Sequence, residues 1–370
     1  MTARILPKLL APIGALIVAL AISSVALLAS GKSPVDAFTQ MLDYGTRPDS
    51  LVDMLNKATP YYLSAVAVAI GFRMNLFNIG VEGQSRLAGL MAGAVGGASF
   101  LGWLPGPLRI VLMIVVAVVV GAAWAGIAGL LKVTRGVSEV ISTIMLNFIG
   151  GGIVAYLLTT DRLGVQPPGS NNVSTPVLKP DSWMPGIPLI PGTSDLVYGF
   201  VVVAVASGVG YWFLLGRTRF GFDLRASGMN APAAVASGVD ARRMVVYTML
   251  LSGGVAGLVG LPQVLGDTHA FSADFATVGF TGIGIALLGR NHPVGIAFAA
   301  LLWGFLDRSS QILDLAEIPK EVVTIMQGTT VLAVVVAYEV ANRISRRAQQ
   351  RRVGIATLAP EQRPVELATS

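Results

Sequence analysis

The sequence predicts an all-α polytopic membrane protein with about ten transmembrane segments, an inverted-repeat layout and interrupted helices. Three observations carry that expectation. Charged residues are only 12% and hydrophobic residues 54% of 370, where soluble domains carry about 25% charged residues. Apolar runs recur along nearly the whole chain, each judged against the roughly 20 residues a spanning helix needs. Threaded through a bilayer with an inner N-terminus, they place 18 of the 26 Lys and Arg residues on the inner side. Basic residues favour cytoplasmic loops, so both termini are expected inside.

The runs are Leu9–Ala29, Ala58–Phe72, Glu82–Leu101, Leu108–Leu131, Val140–Leu158, Leu196–Leu215, Met244–Leu265, Thr277–Leu288, Val294–Leu306 and Val322–Val340. The first follows Arg4 and Lys8 and is too long for a signal-peptide core, so it reads as a retained helix. Ala58–Phe72 is marginal in length, and the eighth and ninth runs are short on either side of Arg290-Asn291-His292-Pro293. Residues 1–345 read as a single transmembrane domain and 346–370 as a disordered cytoplasmic tail. The start of that tail is basic and suits anionic lipid headgroups.

Two stretches interrupt the helical pattern, Gly71–Gln84 in the first half and Gly279–Pro293 in the second. Each stretch lies within a set of four spans, the second to fifth beginning from outside and the seventh to tenth from inside, which is the layout of an inverted-topology repeat around a transport path. In the first stretch, Asn75, Asn78, Glu82 and Gln84 fit two roles. They cap and turn the chain, or they face a solute in a water-filled space, where polar groups at membrane depth normally point. Asn147, a lone amide in an apolar span, has the same two readings, an interhelical hydrogen bond or a solute contact.

Glycines four apart, Gly89, Gly93 and Gly97 and then Gly253 and Gly257, predict tightly packed helix stripes. His269 and His292 are the only histidines and have no carboxylate pattern around them, so both read as structural, and no metal site is expected. Asp307-Arg308 reads as a local surface pair. The segment 160–194 holds seven of the 20 prolines and is not a continuous helix. It is either an ordered docking surface or a plain crossover.

The absence of Cys excludes disulfides, thiolate metal sites and Cys nucleophiles within the chain. Its net charge of +6 is spread among membrane segments rather than gathered in a soluble domain, so no nucleic-acid partner is expected. Gly31-Lys32-Ser33 has Ala26 where a phosphate-binding loop needs its first glycine, so no ATPase site and no cofactor belong to this chain.

One segment stands apart. Leu224–Arg243 is polar and rich in small residues, yet lies between two strongly apolar runs. A membrane protein with such an inner loop is suited to being driven by a protein docked outside the bilayer.

Three strings carry a family resemblance: Leu76–Gln84, Glu139–Asn147 and the loop Leu224–Val239. Gly279–Gly289, Asn291-His292-Pro293 and Ile318–Glu321 add to it. Over roughly residues 55–340 the chain resembles ABC-importer permeases of the branched-chain amino-acid and ribose group, in particular their nucleoside and simple-sugar branch. The resemblance implies a subunit without its own catalytic site, in a bacterial plasma (inner) membrane. It implies partnership with cytoplasmic ATPase subunits that bind ATP, a second permease, the same or paralogous, and an external substrate-binding lipoprotein. The inner loop would be the coupling helix, with Arg225, Ala226, Asn230, Ala233, Ala234, Gly238 and Asp240 against the ATPase. The path would run near Asn75, Asn78, Glu82, Gln84 and Asn147. An ion-coupled secondary transporter is the alternative; it calls for mid-span carboxylates that the sequence does not offer. A membrane enzyme is opposed by the lack of any paired acid/base or nucleophile constellation.

Overall fold

The computed structural model describes residues 6–337, 340 and 343, except 167, 168, 170, 276, 277, 316, 317, 319, 320 and 335, with side chains from residue 17 onward. The tail 346–370 and the Pro319-Lys320 part of the last motif lie outside the described residues.

The chain is built of helices: α1 (Leu6–Ala29), α2 (Pro34–Gly45), α3 (Pro48–Phe72), α4 (Val81–Gly96), α5 (Gly106–Arg135), α6 (Glu139–Leu157) and α7 (Phe200–Arg217). There follow α8 (Arg219–Met229), α9 (Ala231–Ala236), α10 (Ala241–Gly257), α11 (Leu261–Gly266), α12 (Thr281–Leu288) and α13 (Pro293–Leu315). A further apolar helix, α14, covers Glu321–Val334. Between α6 and α7 a two-residue antiparallel ribbon pairs β1 (Gly186–Ile187) with β2 (Val197–Tyr198). Contacts divide the chain into two compact units: residues 38–317, and the terminal segments 1–37 and 318–370. The site described below belongs to the first.

Among the described residues, four helical stretches are long and apolar enough to cross a membrane alone, namely α5, α6, α7 and α10 continued through α11. They number five if the pair Ile17–Ala29 and Pro34–Gly45 is one broken span. The others fall short for visible reasons. The first turns of α3 carry Asp49, Asp53 and Lys57, while α4 and α12 are only 16 and 8 residues long. Short or interrupted helices are tolerated at membrane depth where protein surrounds them. Accordingly α4 buries most of its length, whereas α5 and α6 leave apolar side chains such as Val111, Val119, Ile141 and Phe148 exposed.

The first unit is organised around two close pairings, α5 with α10 and α3 with α13. Each depends on glycine. A β-carbon on Gly121 or Gly253 would overlap the other helix's backbone, and one on Gly304 would come 2.6 Å from the Met54 carbonyl oxygen. In addition, α4 packs on α5 and α10, while α12 packs on α13 and α3, and α3 touches α10. Exchanging α3 with α10, α4 with α12 and α5 with α13 therefore maps these named pairings onto one another.

The stripe on α4 differs from expectation. Gly89 and Gly93 receive Phe271, with Phe275 also against Gly89, and Gly97 receives the Pro176 backbone. These are loop residues, so the stripe accommodates a loop and not a neighbouring helix. The proline-rich segment is ordered by the same contact. Ser174 bridges Val165 and Ser272, Thr175 N donates to the Phe271 carbonyl at 2.8 Å, and Leu178 N donates to that of His269 at 2.8 Å. Irregular backbone groups that cannot reach water are satisfied by each other.

At the start of α3, Arg308 pairs with Asp49 (3.1 Å) and Asp53 (2.7 Å), and Lys57 with Asp307 (3.6 Å). The Asp307-Arg308 pair thus ties α13 to α3 rather than lying free on a surface.

Candidate functional site

Between α3 and α4 the helix breaks over Arg73–Gly80, and the sequence explains how. Asn75 adopts the left-handed conformation (φ 54°) that Asn tolerates better than most residues. Beyond it the chain runs without helical hydrogen bonds, so its backbone groups need partners inside the protein.

One stripe of α6 supplies them. Glu139, Thr143 and Asn147 are spaced by four and share a face. Glu139 Oε1 accepts from Phe77 N (3.4 Å), Thr143 Oγ1 from Ile79 N (3.3 Å) and Asn147 Oδ1 from Gly83 N (2.8 Å). Asn147 Nδ2 donates to the Ile79 carbonyl at 2.9 Å. The other oxygen of Glu139 holds Lys132 at the end of α5. This ladder gives the string Glu139–Asn147 its physical meaning. The period of four is legible in the sequence, and its partners are not.

Across the break lies a second set. Asn78 Nδ2 donates to Gln84 Oε1 (3.0 Å) and Ser252 Oγ (2.8 Å), and Asn78 Oδ1 accepts from Gln84 Nε2 (2.9 Å) and Gly80 N (3.0 Å). Ser252 Oγ in turn donates to the Ala67 carbonyl on α3 at 2.7 Å. Asn78 and Gln84 are each 1% exposed, and each amide bonds the other. The node therefore ties α3, α4 and α10 together in the unit's interior.

Glu82 faces the second-half break. Its Oε1 accepts from Arg86 Nε at 2.8 Å and its Oε2 from Gly279 N at 2.9 Å. Ser64 Oγ donates to the Val278 carbonyl at 3.1 Å from the other side. Gly279 is required there because a side chain would overlap the Glu82 backbone. The two interrupted stretches thus meet through a buried carboxylate.

They meet again at the other end of the break, through residues that sequence reasoning did not select. Arg73 donates to Tyr211 Oη (3.1 Å) and to the Asn291 carbonyl (2.8 Å), which Tyr211 also reaches at 2.6 Å. Arg290 and Asn291 are both left-handed (φ 57° and 54°) and turn the chain between α12 and α13. The remaining predicted residue, Asn75, leaves this network. Its Nδ2 donates to the Gly228 carbonyl at the end of α8, at 2.7 Å.

The polar loop is a pair of short helices, beginning at Arg219 rather than Leu224. Asn230 ends α8 and caps α9 by accepting from Ala233 N at 3.1 Å, and Asp240 caps α10 by accepting from Arg243 N at 3.0 Å. Met229, Asn230, Ala233, Val235, Ala236 and Gly238 are exposed, while Arg225 and Ala226 are half-buried. Ala234 is different, being only 4% exposed, so its side chain faces the protein and not solvent. Gly238 lies at φ 84° with open space around it, where its conformation and not its size calls for glycine.

His269 stacks on Trp183 (centroids 3.8 Å, planes 5° apart) in the loop contact described above. Burial holds its imidazole below the ordinary pKa, with Asp267 opposing. Among the described residues no group of His, Cys, Asp and Glu suits a metal ion. An apolar groove of about 580 Å³ lies between α3, α7 and α13, walled by residues such as Leu55, Val205, Trp212 and Phe298. Its chemistry matches acyl chains better than a polar solute, which needs convergent hydrogen-bonding groups.

The chain matches, over residues 50–335, the family described as the permease component of branched-chain amino acid transport systems. It is 34% identical over 339 residues to a guanosine ABC transporter permease protein of Bacillus subtilis, covering 90% of this chain and 95% of that protein. A glucose ABC transporter permease protein of Haloferax volcanii is 34% identical over 328 residues, 87% of this chain and 85% of that one. A nucleoside ABC transporter permease protein of Lactococcus lactis is 29% identical over 349 residues, 90% and 92% of the two chains.

Proposed function

Because the chain belongs to the family of branched-chain amino acid transport system permease components, we propose that it forms the translocation path for nucleosides or a related ribose-containing or simple-sugar solute. It is the permease subunit of an ATP-binding-cassette importer, a multi-pass protein of the bacterial plasma membrane and not an enzyme. ATPase and substrate-binding partners complete such an importer.

The observation that carries the solute class is likeness along nearly the whole chain to permeases named for guanosine and nucleosides. The glucose permease at the same 34% identity keeps sugars in view, and a polyhydroxylated sugar ring is the element common to both chemistries. Reconstituted with its partners, the importer is expected to take up labelled guanosine, with unlabelled nucleosides competing better than ribose or glucose. Glucose uptake undisturbed by excess nucleoside would overturn the nucleoside assignment.

The path borders the first-half break, with Asn75, Asn78, Glu82, Gln84 and Asn147 beside it. Support comes from the burial of an amide cluster where two interrupted stretches meet, the place where transporters of inverted-repeat design bind solute. The exchange symmetry of the packing partners supports that repeat. We assign ten segments, both termini inside, residues 1–345 as one permease domain and 346–370 as its tail. The α8–α9 hairpin docks the ATPase through Met229, Asn230, Ala233, Val235 and Gly238, flanked by Arg225, Ala226 and Asp240, with Ala234 as its inner anchor. A second permease, the same or paralogous, and an external binding lipoprotein complete the assembly.

The topology has a direct test, helped by the lack of native Cys. A single Cys at Val177, which is 58% exposed in the proline-rich loop, should react with an impermeant thiol reagent in intact cells. One at Ser237, in the α8–α9 hairpin, should react only after the membrane is opened. The reverse pattern would invert the orientation. An ion-coupled carrier is disfavoured because the buried carboxylates among the described residues, Glu82 and Glu139, each already hold a basic partner.

A further inference from the structure

We propose that the contact of Met74 and Asn75 with Gly228 is the strut that carries movement of the α8–α9 hairpin into the helix break; this rests on the hairpin being the ATPase-coupling element. Four observations converge on it. Asn75 is exposed, yet its amide turns back to bond the Gly228 carbonyl at 2.7 Å. At Gly228 a β-carbon would stand 2.6 Å from Met74 Cα, so the two segments touch backbone to backbone with no compressible side chain between them. Thr248 Oγ1 lies 3.1 Å from Met74 Sδ, and Ser252, one turn further along α10, holds Asn78. Arg73, the neighbouring residue, reaches Tyr211 on α7 and the Asn291 turn before α13.

A displacement of the hairpin therefore has a short rigid route. It passes from Gly228 to Met74 and Asn75, then three residues on to the buried Asn78–Gln84 pair, and sideways through Arg73 to α7 and α13. The break itself has no internal helical hydrogen bonds to resist a change of shape. Closely packed elements transmit shifts in this way because they move between discrete arrangements rather than deforming continuously. Asn75 is a positioning residue in this scheme: it touches neither ATP nor, through this contact, the solute.

The test uses the complete importer in proteoliposomes and whichever labelled solute of guanosine, ribose and glucose the wild type takes up. Asn75→Gly keeps the left-handed backbone and deletes only the donor. The complex should assemble and hydrolyse ATP, while solute imported per ATP falls about twofold to thirtyfold, the range that modulation of coupling by one residue covers. Asn75→Asp keeps the size and conformation but sets an acceptor against the Gly228 carbonyl, and should give the same loss even where the glycine variant assembles poorly. A wild-type ratio of import to hydrolysis in either variant overturns the strut. Val235→Glu, at the exposed face of α9, separates the two ideas. If it releases the ATPase while the Asn75 variants remain fully coupled, the strut alone is wrong. If the ATPase stays bound and coupled, the hairpin assignment falls and the strut with it.

Discussion

Gly257→Val is expected to prevent accumulation of folded permease. A β-carbon at Gly257 would overlap the Ala117 carbonyl oxygen of α5, with the Ala117 carbonyl carbon 2.8 Å away. Both groups are backbone, so no rotamer change relieves the clash and the helices must separate. Separation would also open the Gly121–Gly253 contact, where the two backbones meet directly. Overpacking usually costs about 1–3 kcal/mol, and a clash between two backbones belongs at or above the top of that range. Gly254→Ala is the control, because its β-carbon would find Val118 Cγ1 at an ordinary 3.4 Å. That variant should fold at least as well as the parent, since alanine favours a helix over glycine by up to about 1 kcal/mol. Yield and monodispersity of the purified chain measure both. Equal behaviour of the two variants would mean that α5 and α10 are not in backbone contact.

The glycine spacing in the sequence was enough to place close contacts at Gly253 and Gly257, because period-four small residues form a stripe on any helix. It said nothing of the partner. On α10 the partner is a helix, but on α4 it is the two loops carrying Phe271 and Thr175, since spacing encodes a smooth surface and not what lies on it. The runs that form α5, α6, α7 and α10 were legible for the same local reason, as apolar stretches of sufficient length. α2 was not, being short and amphipathic. The broken stretches were visible from Gly, Asn and Pro, whereas their joining was not. Arg73 with Asn291 and Glu82 with Gly279 are separated by about two hundred residues, and nothing local marks such a pair. The α6 ladder lies between these cases, because its period of four is written in the sequence while its partners are backbone groups of another segment.

Asn78 offers the second large effect, and a double-variant cycle shows what kind of effect it is. Asn78→Leu conserves volume and removes four hydrogen bonds at once. Gln84 then keeps a buried amide without its partner, and Gly80 N loses its acceptor. Each stranded group costs about 1–3 kcal/mol, so the single variant should lose about 3–5 kcal/mol, an unusually large value for one side chain. Gln84→Met alone strands both ends of the Asn78 amide in part and should also be costly. Changing both removes the two amides together. Ser252 still donates to Ala67, which leaves Gly80 N as the principal orphan. The pair should therefore cost less than the sum of the singles by about 1–3 kcal/mol, as groups in one hydrogen-bond network do. Thermal unfolding of the purified chain, followed by tryptophan fluorescence, supplies the three comparisons. Additive losses would mean that the amides do not bond each other in the membrane. Because the path is assigned beside this node, uptake by the folded, reconstituted double variant should also show a raised KM for solute. Sub-additive losses with an unaltered KM would make Asn78 and Gln84 a brace for the break and move the solute contacts elsewhere.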